Sequence, residues 1–182
     1  MPEPTDEQLL SDYRQGDRSA LVAIVERHEI RLARIAYRIT GCRHEAEDVR
    51  HAVFVRFLQS IERTAEVERI GAWLTRCTVN EAVTRMRKRS RHVRVISDLA
   101  QLARASTDSS LMTRLLREES DEHLTAALAK LSPDDRALLS LRFDEDLTFR
   151  GIAEVLERPA STVKSQMSQA ISRLRELLNK SR

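Results

Sequence analysis

The chain has 182 residues, 41% hydrophobic and 32% charged, which excludes wholesale disorder and fits one mid-sized domain or two small ones. With only four Gly, four Pro and few aromatic residues, it lacks the tight turns and aromatic strands of a sandwich or barrel. The expected fold is therefore all-α. Thirty-one Lys and Arg against 28 Asp and Glu leave a net charge of +3, too small by itself to imply nucleic acid.

In chain order, Thr5 with Gln8 forms a capping box for a short helix through Leu9, Leu10 and Tyr13, ended by Gly16. Asp17 caps a long helix in which Leu21, Ile24, Val25, His28, Leu32, Ile35, Ala36 and Ile39 share a face, and Gly41 stops it. A second amphipathic helix follows. It turns Ala46, Val49, Val53, Phe54, Phe57, Leu58 and Ile61 to a core and leaves Glu47, Asp48, Arg50 and Arg56 for solvent or a partner. Residues 62–69 are polar and read as a loop. From Ile70 the pattern resumes through Trp73, Leu74, Cys77, Val83 and Met86, and the helix runs into a basic block. Between Ser90 and about Glu119 periodicity weakens among Ser, Thr and Asp, which predicts a linker. A second helical region, 120–182, opens with Leu124, Ala127, Leu128 and Leu131. Ser132, Pro133 and Asp135 then supply a cap, a first-turn Pro and a capping-box partner. Two helices with a very short gap close the chain, Thr148 to about Leu156 and Ser161 to about Leu178.

The charges are sorted along the chain. Residues 85–94, RMRKRSRHVR, hold six basic side chains and no acidic one, whereas residues 118–146 hold three basic and nine acidic. One reading is a solvated basic face, and the other is a phosphate-binding surface. Cations at the C-terminal end of a helix also suit its dipole. The stretch FRGIAEVLERPASTVKSQMSQAISRLRE has the spacing of a helix-turn-helix, with small Ala153 at the crossing, a break at residues 157–160 and Val163 anchoring the second helix. Thr162, Lys164, Ser165, Gln166 and Gln169 would then face a major groove. An ordinary helical hairpin shares this periodicity.

No stretch approaches the ~20 apolar residues that span a bilayer, and the N-terminal segment has no apolar signal core, so the expectation is a cytoplasmic protein without membrane insertion. Cys42 and Cys77 are too few for a disulfide framework or a thiolate metal site, and no Gly-rich phosphate loop or Ser-His-Asp arrangement is present. Neither catalysis nor a metal nor a cofactor is expected. Glu118, Glu119, Asp121 and Glu122 read either as a solvated helix start or as an acidic segment compatible with a cationic nucleic-acid channel.

Taken together, EAEDVRHAVFVRFLQSI, AWLTRCTVNEAVTRMRKR and LSPDDRALLSLRFDEDLTFRGIAEVLERPASTVKSQMSQAISRLRELL resemble, in order and spacing, the sigma-70 family in its small two-domain extracytoplasmic-function type. The resemblance implies a region-2-like domain over 1–94, a linker over 95–119 and a region-4-like helix-turn-helix domain over 120–182. It implies that Asp48, with His51, Phe54 and Arg56, docks on core RNA polymerase. Arg76, Asn80, Arg85, Arg87, Lys88 and Arg89 would contact the melted minus-ten strand, which needs a polar pocket for a flipped base and cations along its backbone. Thr162, Lys164, Ser165, Gln166, Gln169 and Arg173 would read the minus-thirty-five duplex. Trp73 is either a stacking residue or core, and its place in the apolar stripe favours core. The family often works under an anti-sigma protein, and no residue here identifies one.

The chain departs from the family pattern at Arg50, His51 and Ala52, where the family has an apolar residue, Gln and Glu. Leu58 replaces a common Trp. Glu157 stands at a usual turn Gly, at a cost of about 1 kcal/mol if φ is positive. The recognition helix has fewer cations than usual, which predicts weaker and less salt-sensitive duplex binding. The alternatives are a stand-alone helix-turn-helix regulator acting without polymerase and a helical adaptor that has lost DNA recognition.

Overall fold

The computed structural model describes residues 3–63, 69–97 and 122–179. Eight α-helices and one π-helical turn are found among them. In the first half, α1 (Asp6–Arg14), α2 (Arg18–Thr40), α3 (Arg43–Arg63) and α4 (Ile70–Ser97) pack on one another. In the second, α5 (Glu122–Lys130), α6 (Pro133–Leu139), the π-helical turn (Ser140–Asp144), α7 (Phe149–Leu156) and α8 (Ala160–Asn179) form a smaller cluster.

Helix boundaries follow capping chemistry. Thr5 and Gln8 bond reciprocally at 3.3 and 2.7 Å, closing the capping box of α1. Asp17 accepts from the Ser19 hydroxyl at 2.7 Å and from the Ser19 amide at 2.8 Å, and these bonds, the hydroxyl first, hold its carboxyl below the ordinary range. Gly41 takes φ 69° after α2 and returns its amide to the Tyr37 carbonyl at 2.7 Å, the left-handed stop that a residue without Cβ accepts freely. Ser132 accepts the Asp135 amide at 3.1 Å with Pro133 in the first turn of α6, and Thr148 accepts the Gly151 amide at 3.1 Å ahead of α7.

The buried faces are the stripes legible in the sequence. Ile24, His28, Leu32, Ile35, Ala36 and Ile39 of α2 meet Val49, Val53, Phe57 and Ile61 of α3 and Ile70, Leu74, Val79 and Ala82 of α4. Leu21, Val25, Phe54, Leu58 and Met86 are half-buried. Trp73 lies on the core side, half-buried, its ring 5.8 Å from that of Phe57. Thr75 and Thr78 are buried without cost because each hydroxyl donates to the carbonyl four residues back, at 2.7 and 2.8 Å. Gly71 lets α4 approach α2, since a Cβ there would stand 3.3 Å from the His28 ring.

Three features differ from the sequence expectation. Helix α3 reaches Arg63, and α4 continues to Ser97, past the basic block and into the stretch read as linker. The rest of that linker, and Glu118, Glu119 and Asp121, lie outside the described residues. After Leu139 the chain makes a π-helical turn, with Glu145 bonded back to Ser140 at 3.1 Å, which buries Leu141 and turns Phe143 outward. The second half is also seated on the first, with α6 against α2 and α4, and α7 against α4.

Candidate nucleic-acid and polymerase interfaces

Helix α4 presents two faces. Residues 76, 80 and 87 are separated by one and about two turns, so Arg76, Asn80 and Arg87 share a side. Asn80 and Arg87 are exposed, and Arg76 is half-buried. Arg85 falls on the opposite side, against α3, where it bonds Glu81 at 2.8 Å and Asp48 at 3.3 Å. The Glu81 bond comes first among the causes that raise the Arg85 guanidinium above its ordinary value. Lys88 and Arg89 are exposed and make no ion pair among the described residues. The six residues expected at the minus-ten strand are thus divided between faces.

The exposed strip of α3 joins this network. Asp48 and His51 are exposed, while Phe54 is half-buried against the core. Arg56 reaches Glu81 at 3.3 Å, and Arg50 reaches Glu29 at 3.2 Å. Glu81 therefore holds Arg56 and Arg85 together, tying the face expected to dock polymerase to the helix expected to hold DNA. Sequence reasoning missed Glu81, although its place four residues before Arg85 was a readable signal.

The helix-turn-helix is α7 and α8. Glu157 adopts φ 51° between them, so the left-handed turn is kept without glycine. Arg158 returns its amide to the Ala153 carbonyl at 3.0 Å, which closes the turn. Val163, Met167 and Ala170 bury one face of α8. Lys164, Ser165 and Gln169 are exposed on the other, and Thr162 is half-buried. Gln166 accepts from Arg158 at 3.2 Å. Arg173 is held by Asp135, a partner the sequence did not reveal.

Two further absences concern the described residues. No helix among them is long and apolar enough to cross a membrane, and no group of three or more His, Cys, Asp or Glu is placed to hold a metal ion.

A helical body with a cationic helix, followed by a helix-turn-helix with a polar outer face, defines a DNA-binding protein of the helix-turn-helix class. Residues 24–92 match Sigma-70 region 2 and residues 127–176 match Sigma-70, region 4, together more than half of the chain. The chain belongs to the sigma-70 family, in its extracytoplasmic-function (ECF) type. It is similar to the ECF RNA polymerase sigma factor SigW of Bacillus subtilis, 23% identical over 93% of this chain and 94% of that one. It is also similar to the ECF RNA polymerase sigma factor SigE of Mycolicibacterium smegmatis, 28% identical over 98% of this chain and 71% of that one. Among solved structures it shares the fold of CnrH, solved in complex with the cytosolic domain of CnrY, at TM-score 0.67 and 21% identity over 97% of this chain and 99% of that one. The sigma factor RpoE from Bartonella quintana, solved with the anti-sigma factor NepR, has TM-score 0.63 and 23% identity over 94% of this chain and 99% of that one.

Proposed function

We propose that this chain is a sigma factor: it binds core RNA polymerase, directs it to promoters through two DNA elements, helps open the nearer one, and has no catalysis of its own. The observation that carries this reading is α4, a single helix that begins in the core at Ile70 and ends in a cationic stretch, set ahead of a separate helix-turn-helix. Melting needs cations along a displaced strand and a polar group at an unstacked base; Arg76, Asn80 and Arg87 on one face supply both. Duplex recognition needs polar side chains at the start of an exposed helix, and Thr162, Lys164, Ser165, Gln166 and Gln169 supply them. Asp48, His51, Phe54 and Arg56 are the proposed polymerase contacts. The protein acts where polymerase and DNA are, in the cytoplasm, and an anti-sigma protein is a proposed partner because one solved protein of this fold, RpoE, is captured with one.

The test is co-elution of the purified chain with bacterial core polymerase, followed by transcription from a promoter library. Stable co-elution and new start sites are expected. Replacing Arg87, Lys88 and Arg89 by Ala should abolish promoter opening while co-elution persists. DNA binding without co-elution would instead support the stand-alone regulator, and partner binding without either would support the adaptor.

A further inference from the structure

Arg158 stands in the turn between α7 and α8 and is held from three directions. Its amide donates to the Ala153 carbonyl at 3.0 Å, one guanidinium nitrogen lies 3.8 Å from the Asp134 carboxylate at the start of α6, and another donates to Gln166 Oε1 at 3.2 Å. All three partners belong to the second half. A guanidinium has donors and no acceptor, so the bond fixes the sense of the Gln166 amide: its oxygen turns back to Arg158 and its amino group turns away. A freely turning glutamine reads adenine best, because its oxygen and nitrogen together match N6 and N7 on one base edge. Gln166 has lost that freedom.

We propose that Arg158 is a positioning residue for base readout: it holds Gln166 as a hydrogen-bond donor, so that Gln166 selects guanine over adenine in the duplex. The inference rests on the sigma-factor reading, in which α8 lies in the minus-thirty-five major groove. Adenine needs the amide edge that carries both oxygen and nitrogen, and the oxygen of that edge is committed to Arg158. The amino group is what Gln166 has left to offer. Guanine presents two acceptors in the major groove, O6 and N7, whereas adenine sets its N6 donor beside N7, where it repels an amino group. Gln169, about one turn further along α8, is exposed and carries no such restraint, which makes it the internal control. Arg158 itself touches no base in this scheme; it acts through Gln166.

The test selects duplexes randomised at the minus-thirty-five element, using the full chain with and without core polymerase. Gln166→Ala identifies the base pair that Gln166 reads, as the one position where preference disappears. At that pair the parent chain should prefer guanine. Arg158→Met, which keeps an apolar stem and removes every donor, should shift the guanine-to-adenine ratio there by about tenfold toward adenine. Arg158→Lys, which keeps a donor, should hold the parent preference, and the pair read by Gln169 should not change in either variant. Adenine preferred by the parent at the Gln166 pair overturns the proposal without recourse to any Arg158 variant. So does a guanine preference that survives Arg158→Met, or the lack of any pair that responds to Gln166→Ala. Uniformly weaker binding by Arg158→Met, with the slope of log affinity against log salt lower by about one, would make Arg158 a phosphate contact and overturn it too. Co-elution and promoter-dependent transcription by the parent separate the two failures. If both are present and the Gln166 pair ignores Arg158, the sigma reading stands and the positioning role falls; if the parent selects no sequence in either condition, the DNA reading of α8 fails and takes the proposal with it.

Discussion

Arg173 of α8 grips Asp135 at the start of α6, one guanidinium nitrogen lying 2.9 Å from each carboxylate oxygen. Asp135 is 5% exposed and also follows the Ser132 cap, so the pair fixes the recognition helix to the helix beneath it. Arg173→Ala leaves a buried carboxylate without its charged donor. Because Arg173 is itself half in solvent, the cost is set at about 2 kcal/mol, near that of a charge-assisted hydrogen bond and below that of a fully buried pair. Thermal unfolding should show Tm lower by about 4–8 °C.

Lys164 should behave in the opposite way. It is exposed at the start of α8 and makes no ion pair among the described residues. Lys164→Ala should leave Tm unchanged and weaken duplex binding by the polymerase complex, lowering the slope of log affinity against log salt by about one. An unchanged slope would remove Lys164 from the DNA contacts and place the complex on its polar neighbours alone.

The contrast between these two residues marks what the sequence could and could not reveal. Helical stripes are set by local spacing, so the buried faces of α2, α3, α4 and α8 were readable, as were the caps at Thr5, Asp17 and Ser132. Long-range pairing is set by how helices meet, which no local pattern encodes. Arg173 and Asp135 are 38 positions apart, and Arg31 and Glu145 are 114 apart. The basic block at 85–94 and the acidic excess at 118–146 were both visible as composition. That Asp134, Asp144 and Glu145 face arginines of the first half was not, because the charge tally gives no direction.

Glu157 permits a test of backbone strain against charge. Its φ of 51° favours glycine by about 1 kcal/mol, while its partly exposed pair with Arg76 is worth about 0–1 kcal/mol at low salt. Glu157→Gly should therefore change Tm little in dilute buffer. At about 0.5 M salt, where the pair is screened and the strain is not, the variant should be the more stable by about 1 kcal/mol. Equal unfolding midpoints in urea at high salt would mean that the surrounding turn already absorbs the left-handed geometry.

The two cysteines should part company in reactivity. Burial pushes the Cys77 thiol above its ordinary 9.0, and the nearby Arg56 and Arg76 guanidiniums pull it only part of the way back. Cys42 is half-buried at the turn after α2. A thiol reagent at pH 8 should titrate Cys42 in the native chain and reach Cys77 only in denaturant. The same shift has a consequence for stability. Since the folded state raises the thiol's pKa, its contribution is complete below the unfolded value and declines as pH climbs from there through the folded one, when the unfolded chain gains a thiolate that the core disfavours. Cys77→Ser removes a titration in this range, so above pH 9 its urea midpoint should fall less steeply with pH than that of the parent chain. Parallel slopes for the two proteins would show that Cys77 ionises as easily in the fold as out of it.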